Sequence, residues 1–188
     1  MIITAVVIFA LIILLFVTSA FWVNWWWFGS MGYRDILVTR YTAQVAAFII
    51  GGLAAAAIFA VNGVLALRRT RIGPPGGRVV RFAERALLAI LGVATVLIFL
   101  AFGAASASRW ETWLLWLNGR SFGQEDPVFG RDAGFYIFAL PALRAIDSGA
   151  FTLLVLTVIA VAAIYALRLG VRVRSIRAIP AMMRGHLF

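Results

Sequence analysis

The chain has 188 residues, 64% of them hydrophobic and 13% charged, where soluble domains average roughly 45–50% and 25%. A soluble fold of that length has no interior for so much apolar surface, and disordered chains are poor in it, so the composition points to a bundle of membrane-spanning segments. The net charge is +10 and every one of the 17 basic residues is arginine, but these arginines flank long apolar runs, where they serve topology and lipid headgroups rather than nucleic acid.

A spanning helix needs about 20 apolar residues. Uncharged runs of that length occur four times and place membrane helices at about residues 2–23, 41–67, 86–108 and 148–167. Lipid offers no partner to the backbone, so each run closes its own hydrogen bonds as a helix; the alternating ten-residue segments of a barrel are not visible. The fold class is therefore all-α integral membrane, with residues 1–188 forming one transmembrane domain. The first run is longer than a secretory signal core and no charge precedes it, so it reads as a retained helix. In the second run Ala47, Gly51 and Ala55, and beside them Gly52, Ala56 and Ala60, make stripes of small residues that let backbones approach in lipid. Gln44, Asn62, Thr95, Thr152 and Thr157 are expected to link helices by hydrogen bonds.

Residues 68–85 and the tail after Leu167 hold eleven arginines against one acid, while residues 24–40 and 109–147 hold six of each. The positive-inside rule then puts the first pair, and both termini, in the cytoplasm. The 68–85 loop also carries the breaker Pro74-Pro75-Gly76-Gly77. Residues 109–147 become an outer loop on a bacterial inner membrane.

That outer loop is the informative part. Ser108 and Glu111 have the spacing of a capping box. Trp110, Trp113, Leu114 and Leu117 fall on one helical face, with Thr112 on the exposed side. Asn118-Gly119 supplies a stop. These signals predict a short helix over Trp110–Leu117, lying along the membrane interface where indole rings settle. Residues 121–141 are expected to fold back over the helix ends, with Pro141 in the first turn of the last helix. Glu125, Asp126 and Asp132 share a glycine-containing loop without calcium-loop spacing; pairing of Arg131 with Asp126 or Asp132 is the expected role. The aromatic and charged residues Trp110, Trp113, Trp116, Phe122, Asp126, Phe129, Arg131, Asp132, Phe135 and Tyr136 form the candidate interaction surface.

No cysteine is present and His186 is the one histidine, which removes thiolate metal sites, iron–sulfur clusters and intramembrane haem ligation. The apolar runs contain no carboxylate for a proton relay. No nucleophile–histidine–acid set or phosphate loop appears. Neither a cofactor nor a metal is assigned, and the chain reads as a non-enzyme.

The stretch WETWLLWLNGRSFGQEDPVFGRDAGFYIFALP resembles the uncharacterised protein family 0182 (UPF family 0182), bacterial multi-pass membrane proteins. The upstream WWWFGSMGYRDILVTR and the final RGHLF also look like that family. The resemblance implies seven membrane helices followed by a large extracytoplasmic portion, of which this chain supplies the first four helices, Phe188 falling where a fifth begins. It implies no biochemical role. From the residues, the expected function is a membrane anchor or scaffold whose outer loop docks other membrane-protein chains, with lipid around the helices. The alternatives are an accessory subunit of a photosynthetic or respiratory complex, and the N-terminal part of a transporter.

Overall fold

The computed structural model describes residues 2–70 and 78–177. The Pro74-Pro75-Gly76-Gly77 breaker and the RGHLF stretch lie outside them. Four long helices, α1 (Ile2–Ser30), α2 (Arg34–Arg69), α3 (Arg78–Ala107) and α5 (Leu140–Arg177), and the short α4 (Trp110–Leu117) make up the described chain. The four long ones are each long and apolar enough to cross a membrane. Among the described residues the sole extended pairing is an isolated bridge between Glu125 and Asp132.

Every long helix outruns its apolar stretch. α2 starts at Arg34 rather than near 41, with Asp35 in its first turn and Arg68 and Arg69 in its last. Acids at the N-terminus and arginines at the C-terminus complement the helix dipole, so charge marks where the apolar surface ends and not where the helix does. α5 departs further from expectation. Helical backbone begins at Ala133, and the turn Phe135–Ala139 is a π-helix in which the Leu140 N–H donates to the Phe135 carbonyl, five residues back. Pro141 stands in the first turn of α5, as expected, but follows directly on the π turn rather than on a loop. Its ring nitrogen has no proton for the carbonyl four residues back, and the wider π turn takes up the irregularity just before it.

Contacts divide the chain into residues 1–46 and 47–188. In the first unit, α1 ends in a Schellman turn: Tyr33 N–H reaches Phe28 O, Gly32 N–H reaches Gly29 O, and Gly32 has φ +78°, the left-handed conformation that favours glycine at this position. The Arg34 guanidinium lies 5.4 Å from the Trp25 ring, and Phe21 packs on Trp25 and Tyr41.

In the second unit, Ala55, Phe59, Ala66 and Leu67 of α2, Leu91 of α3 and Leu153 and Ile164 of α5 form the core. The small-residue stripe is used where it was expected. A Cβ on Gly52 would come within 2.8 Å of the Phe99 carbonyl, and one on Gly103 within 2.9 Å of the Phe48 carbonyl, while the Phe48 and Phe99 rings meet edge to face at 5.3 Å. Outward-facing apolar residues such as Ile50 and Phe151 stay exposed, as lipid-facing positions do. The polar residues behave differently from the expectation. Asn62 donates to Ile58 O, Thr95 to Leu91 O and Thr152 to Ser148 O. Each satisfies itself on its own helix four residues back, which needs no neighbour and no register between helices.

Arg168, read from sequence as part of a basic tail, is 6% exposed. Its Nη1 donates to Leu67 O at 2.9 Å and Thr70 O at 2.7 Å. These are carbonyls at the end of α2 that have no partner within the helix. One α5 guanidinium thus closes the C-terminus of α2, where the dipole is negative.

Candidate functional site

The candidate surface occupies residues 108–139, between α3 and α5. Ser108 directly follows α3 and is bonded to its last turn: its N–H bonds Ala104 O and its hydroxyl donates back to Ala105 O at 2.9 Å. The N-cap of α4 is Arg109, with no side-chain cap. The capping box is therefore not formed. Ser108 is tied to the end of α3, so α4 is capped one residue later, at Arg109, and Glu111 is left one residue short of the position from which it would reach back.

The α4 stop forms as read: Asn118 N–H and Nδ2 both reach Leu114 O. Trp113 fixes the helix to α3 through Nε1, which donates to Ser106 O at 2.9 Å. Trp110, Trp113 and Leu114 are half-buried, but so is Thr112, while Leu117 is exposed. The covered face is thus rotated towards Thr112 from the one the spacing indicates. Trp116 is exposed, its ring tilted at 6.5 Å from Trp113.

After α4 the chain makes a small hairpin. Asp126 N–H bonds Arg131 O, Gly130 N–H bonds Asp126 O and Ala133 N–H bonds Gln124 O. Gly130 has φ +61°, as a tight return requires. Asp132 is the hub. Its carboxylate accepts from Ser121 Oγ at 2.7 Å, from Phe122 N–H and Gly123 N–H, and from Gly134 N–H. The Ser121 hydroxyl first, then the Phe122 N–H, hold its carboxyl down at about 2 from an ordinary 3.8, because each donor favours the ionised form. A Cβ on Gly134 would strike the Arg120 carbonyl, so the hub needs glycine for close approach. Asp126 accepts from Tyr136 Oη at 2.7 Å and from Val128 N–H. Its carboxyl is lowered, first by the Tyr136 hydroxyl and then by Val128.

The expected pairing of Arg131 with Asp126 or Asp132 gives way to a different arrangement. The Arg131 guanidinium lies 5.1 Å from the Phe135 ring centre, and the two carboxylates hold loop donors instead. Phe122 folds back to stack on Phe138, at 5.9 Å and 6°. At the hairpin tip Phe129 is 74% exposed and Val128 77%, while Gln124, Glu125 and Arg131 beside it are exposed as well. The ten residues singled out from sequence thus separate into two groups. Trp110 and Trp113 are half-buried on α4, and Asp126, Asp132, Phe135 and Tyr136 knit the loop together, with Arg131 laid over it. Trp116 and Phe129 face out, and Phe122 does both. Sequence reasoning passed over Ser121, Gly134 and Val128. The Asp-Pro-x-x-Gly signal at 126–130 marks the turn, but no local pattern marks a carboxylate that bonds backbone ten residues away.

The model of the Uncharacterised protein family (UPF0182) matches residues 1–188. The chain belongs to that family. A UPF0182 protein of Corynebacterium efficiens is 31% identical over 149 residues, 76% of this chain and 15% of the relative. One of Salinispora arenicola is 35% identical over 162 residues, 82% and 16% respectively. One of Bradyrhizobium diazoefficiens is 33% identical over 181 residues, 88% and 20%. The chain thus spans a fifth or less of the length of these relatives, matching one part of a larger UPF0182 protein. No solved structure matches.

Proposed function

We propose that this UPF0182 chain is a non-enzymatic module of the bacterial inner membrane that anchors or scaffolds other membrane-protein chains. Both termini lie in the cytoplasm in this reading, lipid surrounds the four long helices, and the hairpin tip is the docking surface. One observation carries it: Val128 and Phe129 are exposed at the tip of a loop whose Asp126 and Asp132 carboxylates are turned onto its own donors. A reacting site needs polar groups aimed at a substrate, whereas a fixed stalk with an apolar tip suits a pocket on a partner, since buried aromatic anchors dominate interface energetics.

A photo-crosslinking amino acid at Phe129, activated in native membranes, tests this. A discrete protein adduct is expected, and Val128→Ser with Phe129→Ser is expected to abolish co-purification of the same partner while leaving the melting midpoint unchanged. Adducts to lipid alone would mean the tip rests on the membrane, and the docking role falls. Orientation is tested by impermeant thiol labelling of intact cells, since the chain has no native cysteine. Val128→Cys is expected to react and Ser175→Cys to stay unmodified. Val128 is the suitable outer position because Ser121 is occupied with Asp132.

A further inference from the structure

A cavity of about 330 Å³ lies where α4 begins and α5 emerges from its π turn. Arg109 and Arg144 both line it, with the hydroxyl-bearing Thr112, Tyr136 and Ser148, and Leu140 gives it an apolar wall. Its volume matches about ten waters, enough for a tetrahedral oxyanion and part of its hydration. We propose that this cavity binds a phosphate group, carried either by a lipid headgroup or by free phosphate.

Three observations converge on that ligand. No carboxylate lines the space, so two arginines, which stay charged at every physiological pH, share it without a fixed counter-charge from its own walls; an anion relieves that repulsion. Glu111 and Asp147, next to Thr112 and Ser148 in sequence, do not line the cavity, and two further carboxylates are committed to the loop: Asp126 holds the Tyr136 hydroxyl and Val128 N–H, and Asp132 holds the 121–123 segment and Gly134. Two planar guanidinium groups with the Thr112 and Ser148 hydroxyls beside them suit the several acceptor oxygens of a phosphate, which bidentate arginine matches well, while the Tyr136 hydroxyl stays with Asp126. The position agrees. Arg109 lies two residues beyond the end of α3, and Arg144 one turn ahead of the uncharged run that opens at Ser148. Both therefore stand where crossing helices meet water, the depth at which lipid phosphates lie. The site is separate from the docking tip and does not depend on it.

The test uses the 188-residue chain purified in a neutral, phosphate-free detergent. One arm titrates inorganic phosphate against chloride at equal ionic strength and follows thermal unfolding by tryptophan fluorescence. The other counts bound lipid by native mass spectrometry after nanodiscs of phosphatidylcholine with or without phosphatidylglycerol. Saturable binding of at least one probe is expected. Arg109→Gln and Arg144→Gln should each weaken it roughly tenfold, as loss of a charge-assisted hydrogen bond does. Arg69→Gln, which removes the same charge away from the cavity, should leave it unchanged. A response to inorganic phosphate assigns the soluble ligand, and a response to phosphatidylglycerol alone assigns the headgroup. Should the glutamine variants fail to fold, Arg144→Lys decides, because it keeps the charge and loses the fork: several-fold weaker binding supports the site. No binding of either probe to the unsubstituted chain, equal loss in Arg69→Gln, or undiminished binding in Arg144→Lys would overturn the proposal.

Discussion

Between α2 and α3 the contact is made by absence: Gly52 and Gly103 leave room for the Phe99 and Phe48 backbones, and the two rings interlock. In residues 118–134 the opposite holds, since hardly any side chain is buried and one carboxylate gathers four donors. The difference follows from the solvent. Lipid is as apolar as leucine, so helices gain by shape and close approach rather than by excluding water. A loop beyond the apolar spans has too little core to bury and is held by hydrogen bonds that ionised acceptors strengthen. At Arg168 and Trp113, among the described residues, a polar bond and helix packing meet, and there the contrast breaks most easily.

Arg168→Ala is expected to have the largest effect. It removes two charge-assisted hydrogen bonds and leaves the last carbonyls of α2 without their partner. At about 1.5–3 kcal/mol each, the loss is roughly 3–5 kcal/mol, read as a lower unfolding midpoint in mixed micelles. Arg168→Lys should recover part of it. A loss below about 1 kcal/mol would mean that the carbonyls find other partners.

Trp113→Ala comes next. Truncating a core tryptophan costs about 3–5 kcal/mol; this ring is half-buried but also gives its N–H to Ser106 O, so roughly 2–3 kcal/mol is expected. Glu111→Ala, at an exposed position of the same helix, should stay within about 0.5 kcal/mol. Thr112, half-buried itself, would not serve as that control. Equal losses at Trp113 and Glu111 would show a helix covered on both sides.

Gly52→Val probes the packing side of the comparison directly. Its Cβ meets the Phe99 carbonyl at 2.8 Å as well as the Phe99 ring at 2.9 Å, and because the carbonyl cannot swing away, α2 and α3 must separate, at about 1–3 kcal/mol. The same substitution at Gly92, where a Cβ meets nothing within 4 Å, should be much milder. If the two variants melt together, the stripe is not a contact.

These contrasts also explain what could be read in advance. The four spans, the small-residue stripe, the short aromatic helix and its Asn118-Gly119 stop are local or periodic signals, and one-dimensional patterns carry them. The helix limits were missed because charged residues such as Arg34 and Asp35 end an apolar run without ending a helix. The Ser108–Glu111 box failed because two helices competed for Ser108 and α3 took it. Arg168 and Asp132 were opaque for a deeper reason: each finds its partners on another segment, in the case of Arg168 about a hundred residues away. Charge counting cannot tell a capping arginine from one that addresses lipid headgroups.

The smallest effect on the whole molecule, and the sharpest for the loop, is acid. With its carboxyl held at about 2, against an ordinary 3.8, by Ser121 and the Phe122, Gly134 and Gly123 N–H groups, Asp132 binds a proton less readily in the folded loop than in an open one. Its contribution is therefore complete above about pH 4 and disappears as pH falls from 3.8 towards 2; the lowered Asp126 works in the same direction. Protonation takes acceptor strength from the bonds that define the hairpin, whereas the core contacts of α2, α3 and α5 involve no carboxylate. Hydrogen exchange of residues 119–134, corrected for the intrinsic pH dependence, is thus expected to accelerate between pH 4 and 2 while α2 and α3 stay protected. Ser121→Ala removes the hydroxyl that most favours the ionised form, so the loosening should begin at higher pH. Uniform protection of the loop down to pH 2, or simultaneous loss in loop and helices, would break the division of labour between hydrogen-bonded loop and close-packed bundle.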